Sequence, residues 1–489
     1  MKPHLALLGK SIVVYGLGDL LAKSLGLIAI PLYTRLLTPD DYGVISVAAA
    51  VSAVASVITN FGISGAAIRA YYEENSFDNH VIAVSTGFWA ITAWSGCVLA
   101  VALVLAVPLS ALFFGTGARW TVIVLAFLGV PFVQILAYTQ DILRIHFRTW
   151  SVIALSLGSQ IVQIALAYVF IARFDMGTTG FFVSLIVANL AATFLGVAFI
   201  WRELRMRFSR RLAREYAAIG SPIALSGLAN NLFAVTDRNV LSRFVGLDAA
   251  GMLTVATSIA SMMYLVTGAF GRGWSAIAWK MRQEMPDYKA AYVDILLYFL
   301  TVISVAAVGL SCFAPEVVAI MTPPSYRGAA GAIPPLAIYM FANGSTQVTA
   351  LGIGLTGRTG YLATLYWSAA LLNLVLDLVF VRFWGMLGVA WATTCVEVAL
   401  TIALAVVTQR LHPLPYDIRR LAALSLVFLG FVVMTYALPS GFVLPIVLLK
   451  LCFVGVYCIM LLVLRIITPS DLTAALSFAR IGRNAESKT

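Results

Sequence analysis

Asp19, Lys23, Asp237, Arg238, Asp377 and Glu397 interrupt long apolar runs, and Arg69 and Arg272 close two more. An ionisable group at the centre of a bilayer costs about 3 kcal/mol by insertion scales, so each needs a partner or a task. The chemistry open to such a set is the binding and movement of charge. Arginine holds phosphate oxygens in pairs through its planar fork. Buried carboxyls serve ion or proton coupling, or act as polar contacts between helices. The four histidines (His4, His80, His146, His412) are scattered without metal-ligand spacing. The five cysteines form no CxxC pair and read as small buried apolar residues. No catalytic residue, metal or cofactor is expected.

The elements that position these charges are fourteen apolar stretches, near 12–32, 43–66, 81–107, 120–140, 151–172, 180–200, 220–242, 250–270, 291–312, 332–356, 362–381, 385–407, 421–438 and 442–464. A helix needs about 20 apolar residues to cross the hydrocarbon core. Continuous runs without period-two alternation predict helices, so the fold class is all-α integral membrane. The third stretch is interrupted near Pro108, and the tenth starts at Pro334-Pro335. The composition agrees, with 61% hydrophobic and 11% charged residues.

Basic residues set the orientation. With the N-terminus inside, 23 of the 32 Lys and Arg residues fall on inside segments and 6 on outside segments. Both termini are therefore expected in the cytoplasm. The net charge of +11 reads as topology plus contact with anionic membrane lipid, and nucleic acid is not needed to explain it. The first span is too long for a cleavable signal, carries Asp19 and Lys23, and reads as an uncleaved anchor. Trp120, Trp150, Trp201 and Trp384 read as interface anchors.

The basic segment 201–219 divides the chain after six spans, giving a lobe over 1–200 and a second over 220–407. Ser209 is placed to cap a short amphipathic helix there, on the inner surface. Spans 421–464 form an additional hairpin, and 465–489 a cytoplasmic tail with a short helix starting at Thr468-Pro469. The second lobe echoes the first. Arg35…Asp40…Gly43 and Arg243…Asp248…Gly251 share the pattern R-x4-D-x2-G, offset by 208 residues. Each predicts a tight turn: Asp favours the next helix's N-terminus, and Gly allows close packing. In the first copy, Thr38-Pro39 forms a good N-cap and N1 pair. The second copy has Leu247 and Ala249 where the first has Pro39 and Asp41.

These turns, the six-plus-six-plus-two arrangement and the run Asn373…Asp377…Gly385…Gly388 carry a resemblance. The chain resembles the polysaccharide-transporter branch of the multidrug/oligosaccharidyl-lipid/polysaccharide exporter superfamily, which includes Wzx-type O-antigen flippases. The resemblance implies two lobes around a cavity lined by helices one, two, seven and eight, with alternating access. It implies an undecaprenyl-pyrophosphate-linked oligosaccharide as substrate, in the bacterial inner membrane. A polysaccharide polymerase and export machinery are the implied partners.

A basic path for the pyrophosphate then follows: Arg69 and Arg272 at the inner mouths, Lys23 midway and Arg238 toward the exit. Arg69 and Arg272 also read as ordinary positive-inside charges. Asp19 and Lys23 share a helix face, roughly 12 and 18 Å deep. They read equally as a self-neutralising pair and as polar lining. Asp237 and Arg238 point about 100° apart, which favours separate partners on other helices or on the substrate, and Asp19 and Asp237 join the basic residues as substrate-binding candidates. Asp377 and Glu397 are candidates for ion coupling, with interhelical packing as the plainer reading. A multidrug or cation antiporter of the same superfamily is the rival function. A membrane glycosyltransferase fits less well, because the longest outer loop, 313–331, holds only Glu316 and Arg327.

Overall fold

The structure is a computed structural model that describes residue 18 and residues 21–73, 76–350, 352–353, 356 and 360–466. Among the described residues there are helices and turns and no strands. Among the described residues, ten helices are long and apolar enough to cross a membrane by length and composition. Four of the fourteen expected spans do not count separately among these: the first, the seventh within Arg210–Phe244, the tenth, and one of the eleventh and twelfth. The expected tenth span is only 17 residues long, Ile333–Thr349. The expected eleventh and twelfth spans are the two segments of Gly360–Leu411, which meet at a kink at Gly385 and count once. Residues 1–17 lie outside the description, as do Asp19 and the tail from 467, including the helix expected at Thr468.

Contacts cluster the described chain into two compact units. One holds Val13–Thr254 and Tyr366–Val389; the other holds Val255–Leu365 and Ala390–Thr489. They are called the N-unit and C-unit below.

The N-unit begins with α1 (21–36) and continues through α2 (Pro39–Asn60), α3 (Ile63–Glu73) and α4 (Phe77–Val104). The Thr38 cap is present as expected. Its hydroxyl accepts from the Asp41 amide at 3.2 Å, while Asp41 accepts from the Thr38 amide at 3.2 Å. This reciprocal box satisfies two orphan donors at the start of α2, with Pro39 in the first turn. The chain leaves α2 through Phe61 and Gly62, both in the left-handed region, with φ of 45° and 72°. The Pro108 interruption is also real: α4 stops at Val104 and α5 (Ala106–Phe114) restarts beyond Leu105.

Next come α6 (Trp120–Ile145), α7 (Thr149–Ala172), α8 (Gly177–Ile200), α9 (Arg210–Phe244) and α10 (Leu247–Ala260), the last crossing into the C-unit. Ser209 does cap a helix, accepting from the Leu212 amide at 3.4 Å. That helix is not a separate surface element, however. It runs unbroken for 35 residues through the expected seventh span. The preceding basic segment is tied to α4: the Trp89 indole donates to the Arg205 carbonyl, and Ser85 accepts from the Arg205 amide.

The C-unit contains α11 (Tyr264–Glu284), α12 (Tyr288–Cys312), α13 (Ala314–Met321), α14 (Ile333–Thr349), the second part of α15 (Gly360–Leu411), α16 (Ile418–Met434) and α17 (Leu444–Val463). Pro334 and Pro335 occupy the first turn of α14, where missing amide donors cost nothing. Within α15 the helix breaks at Gly385, with φ 55° and ψ −129°, a conformation reserved for glycine. Three cysteines depart from expectation: Cys97, Cys395 and Cys452 are exposed. On membrane-length helices these positions are solvated by lipid, so an apolar thiol needs no protein cover. All four anchor tryptophans are exposed as well.

Candidate functional site

In the N-unit, the R-x4-D-x2-G turns come together. A Cβ on Gly43 would overlap the Leu247 carbonyl, and one on Gly251 would overlap the Pro39 carbonyl. Each glycine therefore lets the start of one helix sit on the turn of the other repeat. Above this contact, α9 carries Asp237 and Arg238.

Asp237 is buried and Arg238 is half-buried. The Arg238 Nη1 donates to the Ala234 carbonyl one turn earlier at 3.0 Å, and its charge lies near Asp237 and Tyr42. Asp237 faces a second acid: its carboxyl and that of Asp377 lie within hydrogen-bonding reach. Asp377 and Asn373, one helical turn apart on α15, are both fully buried. Neither Asp377 oxygen accepts from a protein donor among the described residues. The pair therefore brings two carboxyl groups together inside the N-unit, with the Arg238 charge near Asp237. Such a site is suited to share a proton or hold a cation. Sequence reasoning named both residues but assigned Asp237 to substrate and Asp377 to coupling. Nothing in local spacing links positions 140 residues apart.

Lys23 lies exposed on α1. Asp19, its expected partner, lies outside the described residues. Arg69 is exposed on α3 and already holds Glu73 at 2.7 Å, an i,i+4 pair. An exposed pair of this kind contributes little to stability. It leaves the guanidinium partly neutralised, which weakens the reading of Arg69 as a bare phosphate ligand. Arg272 is placed on α11 in the C-unit, but its side chain lies outside the description.

Glu397 belongs to the C-unit, so it does not share a unit with Asp377. It is buried and accepts from the Asn343 amide at 2.9 Å. Tyr264 lies nearby and bonds to Tyr339. The sequence reading did not include Asn343; a polar residue on a short proline-started helix gave the only hint. It placed Glu316 in the longest outer loop and gave it no partner. The structure joins it to Lys450, with Lys450 Nζ 2.8 and 2.7 Å from the two Glu316 oxygens. The Gly441 amide donates to the same carboxylate at 2.8 Å. Burial pushes the Glu316 carboxyl up, but the Gly441 N–H and the Lys450 ammonium outweigh it and hold it below the usual range.

Each unit thus holds its own buried charged and amide groups: Asp237 and Asp377 in the N-unit, and Glu397 with Asn343 and Glu316 with Lys450 in the C-unit. Residues 8–272 match the family described as polysaccharide biosynthesis protein. The succinoglycan biosynthesis transport protein ExoT of Rhizobium meliloti (strain 1021) is 26% identical over 243 residues. That match covers 48% of this chain and 46% of ExoT, so the chain spans about half the length of that curated relative.

Among solved structures, the lipid II flippase MurJ in an inward closed conformation has a TM-score of 0.72 at 15% identity. The match covers 91% of this chain and 98% of that one. An inward-facing multidrug resistance MATE family transporter has a TM-score of 0.63 at 15% identity, covering 82% and 95%. At these identities the structures speak for the fold. The helical architecture is shared with these transporters, and with more than half of the sequence matching its model, the chain belongs to the family described as polysaccharide biosynthesis protein.

Proposed function

We propose that this protein moves an undecaprenyl-pyrophosphate-linked oligosaccharide from the inner to the outer leaflet of a bacterial inner membrane. The substrate is a repeat unit of an O-antigen, capsule or exopolysaccharide. The observation that carries this reading is Arg238, a half-buried guanidinium on the 35-residue helix α9, in a chain of the family described as polysaccharide biosynthesis protein. A guanidinium recognises pyrophosphate oxygens through paired hydrogen bonds. Lys23 supplies a second cation on α1. The lipid tail stays in the bilayer while the headgroup passes, by alternating exposure of the loaded site to the two leaflets. The six-helix segments 1–200 and 220–407 are the lobes that move, and both termini face the cytoplasm. The role is transport and not catalysis. A polysaccharide polymerase and export machinery act next on the product.

The buried carboxyls favour a second feature, shared with the rival antiporter reading. Asp237 and Asp377 form a site where a proton or cation binds, and this couples the cycle to an ion gradient. Residues of this chain then hold the ion, and nothing else in the cycle needs a cofactor.

Deletion of the gene in its native host tests the reading. Lipid-linked oligosaccharide accumulates at the inner leaflet and surface polysaccharide is lost; complementation restores both. Unchanged glycan export in the deletion strain overturns it.

A further inference from the structure

The helix α7 carries a polar stripe that the charge-based reading leaves unused. Ser156, Ser159, Gln160 and Gln163 follow the i, i+3, i+4, i+7 spacing of one helix face. They sit about 10 to 21 Å from the start of α7 at 1.5 Å per residue, near the middle of a membrane-length helix. At 100° per residue this face lies opposite the exposed apolar residues Ile161, Val162 and Tyr168. The stripe therefore turns away from lipid, into the N-unit.

Part of it is satisfied internally. Ser156 accepts from the Gln140 amide of α6 at 3.2 Å, and Ser159 donates to the Ser156 carbonyl at 3.0 Å. Gln160 and Gln163 are half-buried, and neither makes a side-chain hydrogen bond among the described residues. An amide withdrawn from water without a partner is unfavourable. Two such amides on one inward face call for water or a ligand to satisfy them.

The neighbouring helix supplies a cation at the same depth. A methyl group built on Gly18 would stand 2.7 Å from Ile153, and one built on Gly26 would stand 3.6 Å from Gln160 Nε2. So α1 runs alongside α7 in the same direction and in near-equal steps. Interpolating between those two contacts puts Lys23 level with Ser156 to Gln160.

We propose that Gln160 and Gln163 bind the sugar hydroxyls of the transported headgroup, with Lys23 holding an adjacent anionic group. A primary amide offers two donors and one acceptor site, which matches hydroxyls that both give and accept hydrogen bonds. The assignment rests on the glycan-transport reading and deepens it: it names the residues that recognise the carbohydrate as distinct from the phosphate.

Cysteine protection tests it in the full-length protein in cells. Gln160→Cys and Gln163→Cys are made in a background whose five native cysteines are replaced by alanine and which still exports glycan. A membrane-impermeant thiol reagent is applied to inverted vesicles and to spheroplasts. Labelling is expected from at least one side, and it should fall several-fold in a strain whose polymerase is deleted and which accumulates lipid-linked oligosaccharide. It should not fall in a strain lacking the first glycosyltransferase. No labelling from either side overturns the proposal, because the face is then dry. Labelling without protection also overturns it, because the face is then wet but unoccupied by glycan. Both outcomes leave the transport reading standing, since that reading fails only with unchanged export in the deletion strain. As a second readout, Gln160→Leu with Gln163→Leu should reduce glycan export several-fold at normal protein level, whereas Gln160→Asn with Gln163→Asn retains part of it.

Discussion

Gly43 and Gly251 lock together as equivalents: each presses on the residue that precedes the other by four positions. Gly43 meets Leu247 and Gly251 meets Pro39, and a Cβ on Gly251 would stand 2.8 Å from the Gly43 amide nitrogen. Because 43 and 251, like 39 and 247, differ by the same 208 residues, the contact is self-complementary, as in a two-fold interface. The duplication visible in sequence thus has a physical purpose. Two copies of one turn make one glycine-to-backbone contact.

Replacing either glycine by alanine should therefore damage the protein far beyond a propensity effect. The overlapped atoms are backbone carbonyls, which cannot swing aside as a flexible side chain does. Overpacking of this kind costs about 1–3 kcal/mol or more. Gly43→Ala and Gly251→Ala should each lower glycan export at least several-fold. Gly65→Ala, where a Cβ meets nothing within 4 Å, should leave it unchanged. Export measured against protein level in a complemented deletion strain separates the cases.

Arg238 and Lys23 make different demands. Arg238→Ala should abolish export without loss of protein, because the paired guanidinium geometry is removed; Arg238→Lys should restore little, since an ammonium binds as a point charge. Lys23→Ala should mimic the loss, but Lys23→Arg should rescue part of it, because position 23 is exposed and tolerates a longer cation. Export of labelled repeat units reads both series. Normal export in Arg238→Ala would remove Arg238 from the substrate path.

The carboxyl pair predicts a change in energetics. With Asp377→Asn, an amide replaces one acid and can donate to Asp237, so the pair no longer needs a proton or cation. Flipping in proteoliposomes should fall and lose its dependence on an imposed ion gradient. Asp237→Asn should behave alike. Glu397→Gln, whose partner Asn343 can still bond to an amide, should keep that dependence.

Local signals were legible in the sequence and distant ones were not. Thr38-Pro39, Pro334-Pro335 and the break near Pro108 act within one turn of the chain, so residue type alone located them. The charged residues were also legible, because a charge in an apolar run stands out. Their partners were not. Depth follows from 1.5 Å per residue, but the direction a side chain faces depends on helix packing. Asp237 meets Asp377, and Glu316 meets Lys450, across 140 and 134 residues. The break between the expected eleventh and twelfth spans belongs with the legible local signals, because Gly385 leaves helical geometry between the two segments of α15.

The Glu316–Lys450 pair gives the sharpest stability test. The two side chains are 6% and 1% exposed, so the pair is nearly dry. Removing one partner from such a pair leaves an uncompensated buried charge and costs about 3–5 kcal/mol. Lys450→Met alone and Glu316→Gln alone should each lower the melting temperature in detergent. The double variant Glu316→Leu with Lys450→Met should recover much of the loss, because two apolar groups of similar size need no compensation. Acid should act through the same carboxylate. The Gly441 N–H and Lys450 hold Glu316 below its ordinary value of 4.5. A group whose folded value is depressed contributes stability above the unfolded value and loses it as pH falls through the folded one. The wild-type protein should therefore lose melting temperature as pH falls below about 4.5, and Glu316→Gln should lose less over the same interval. Equal acid slopes in the two proteins would show that the pair does not hold α17 to the C-unit electrostatically.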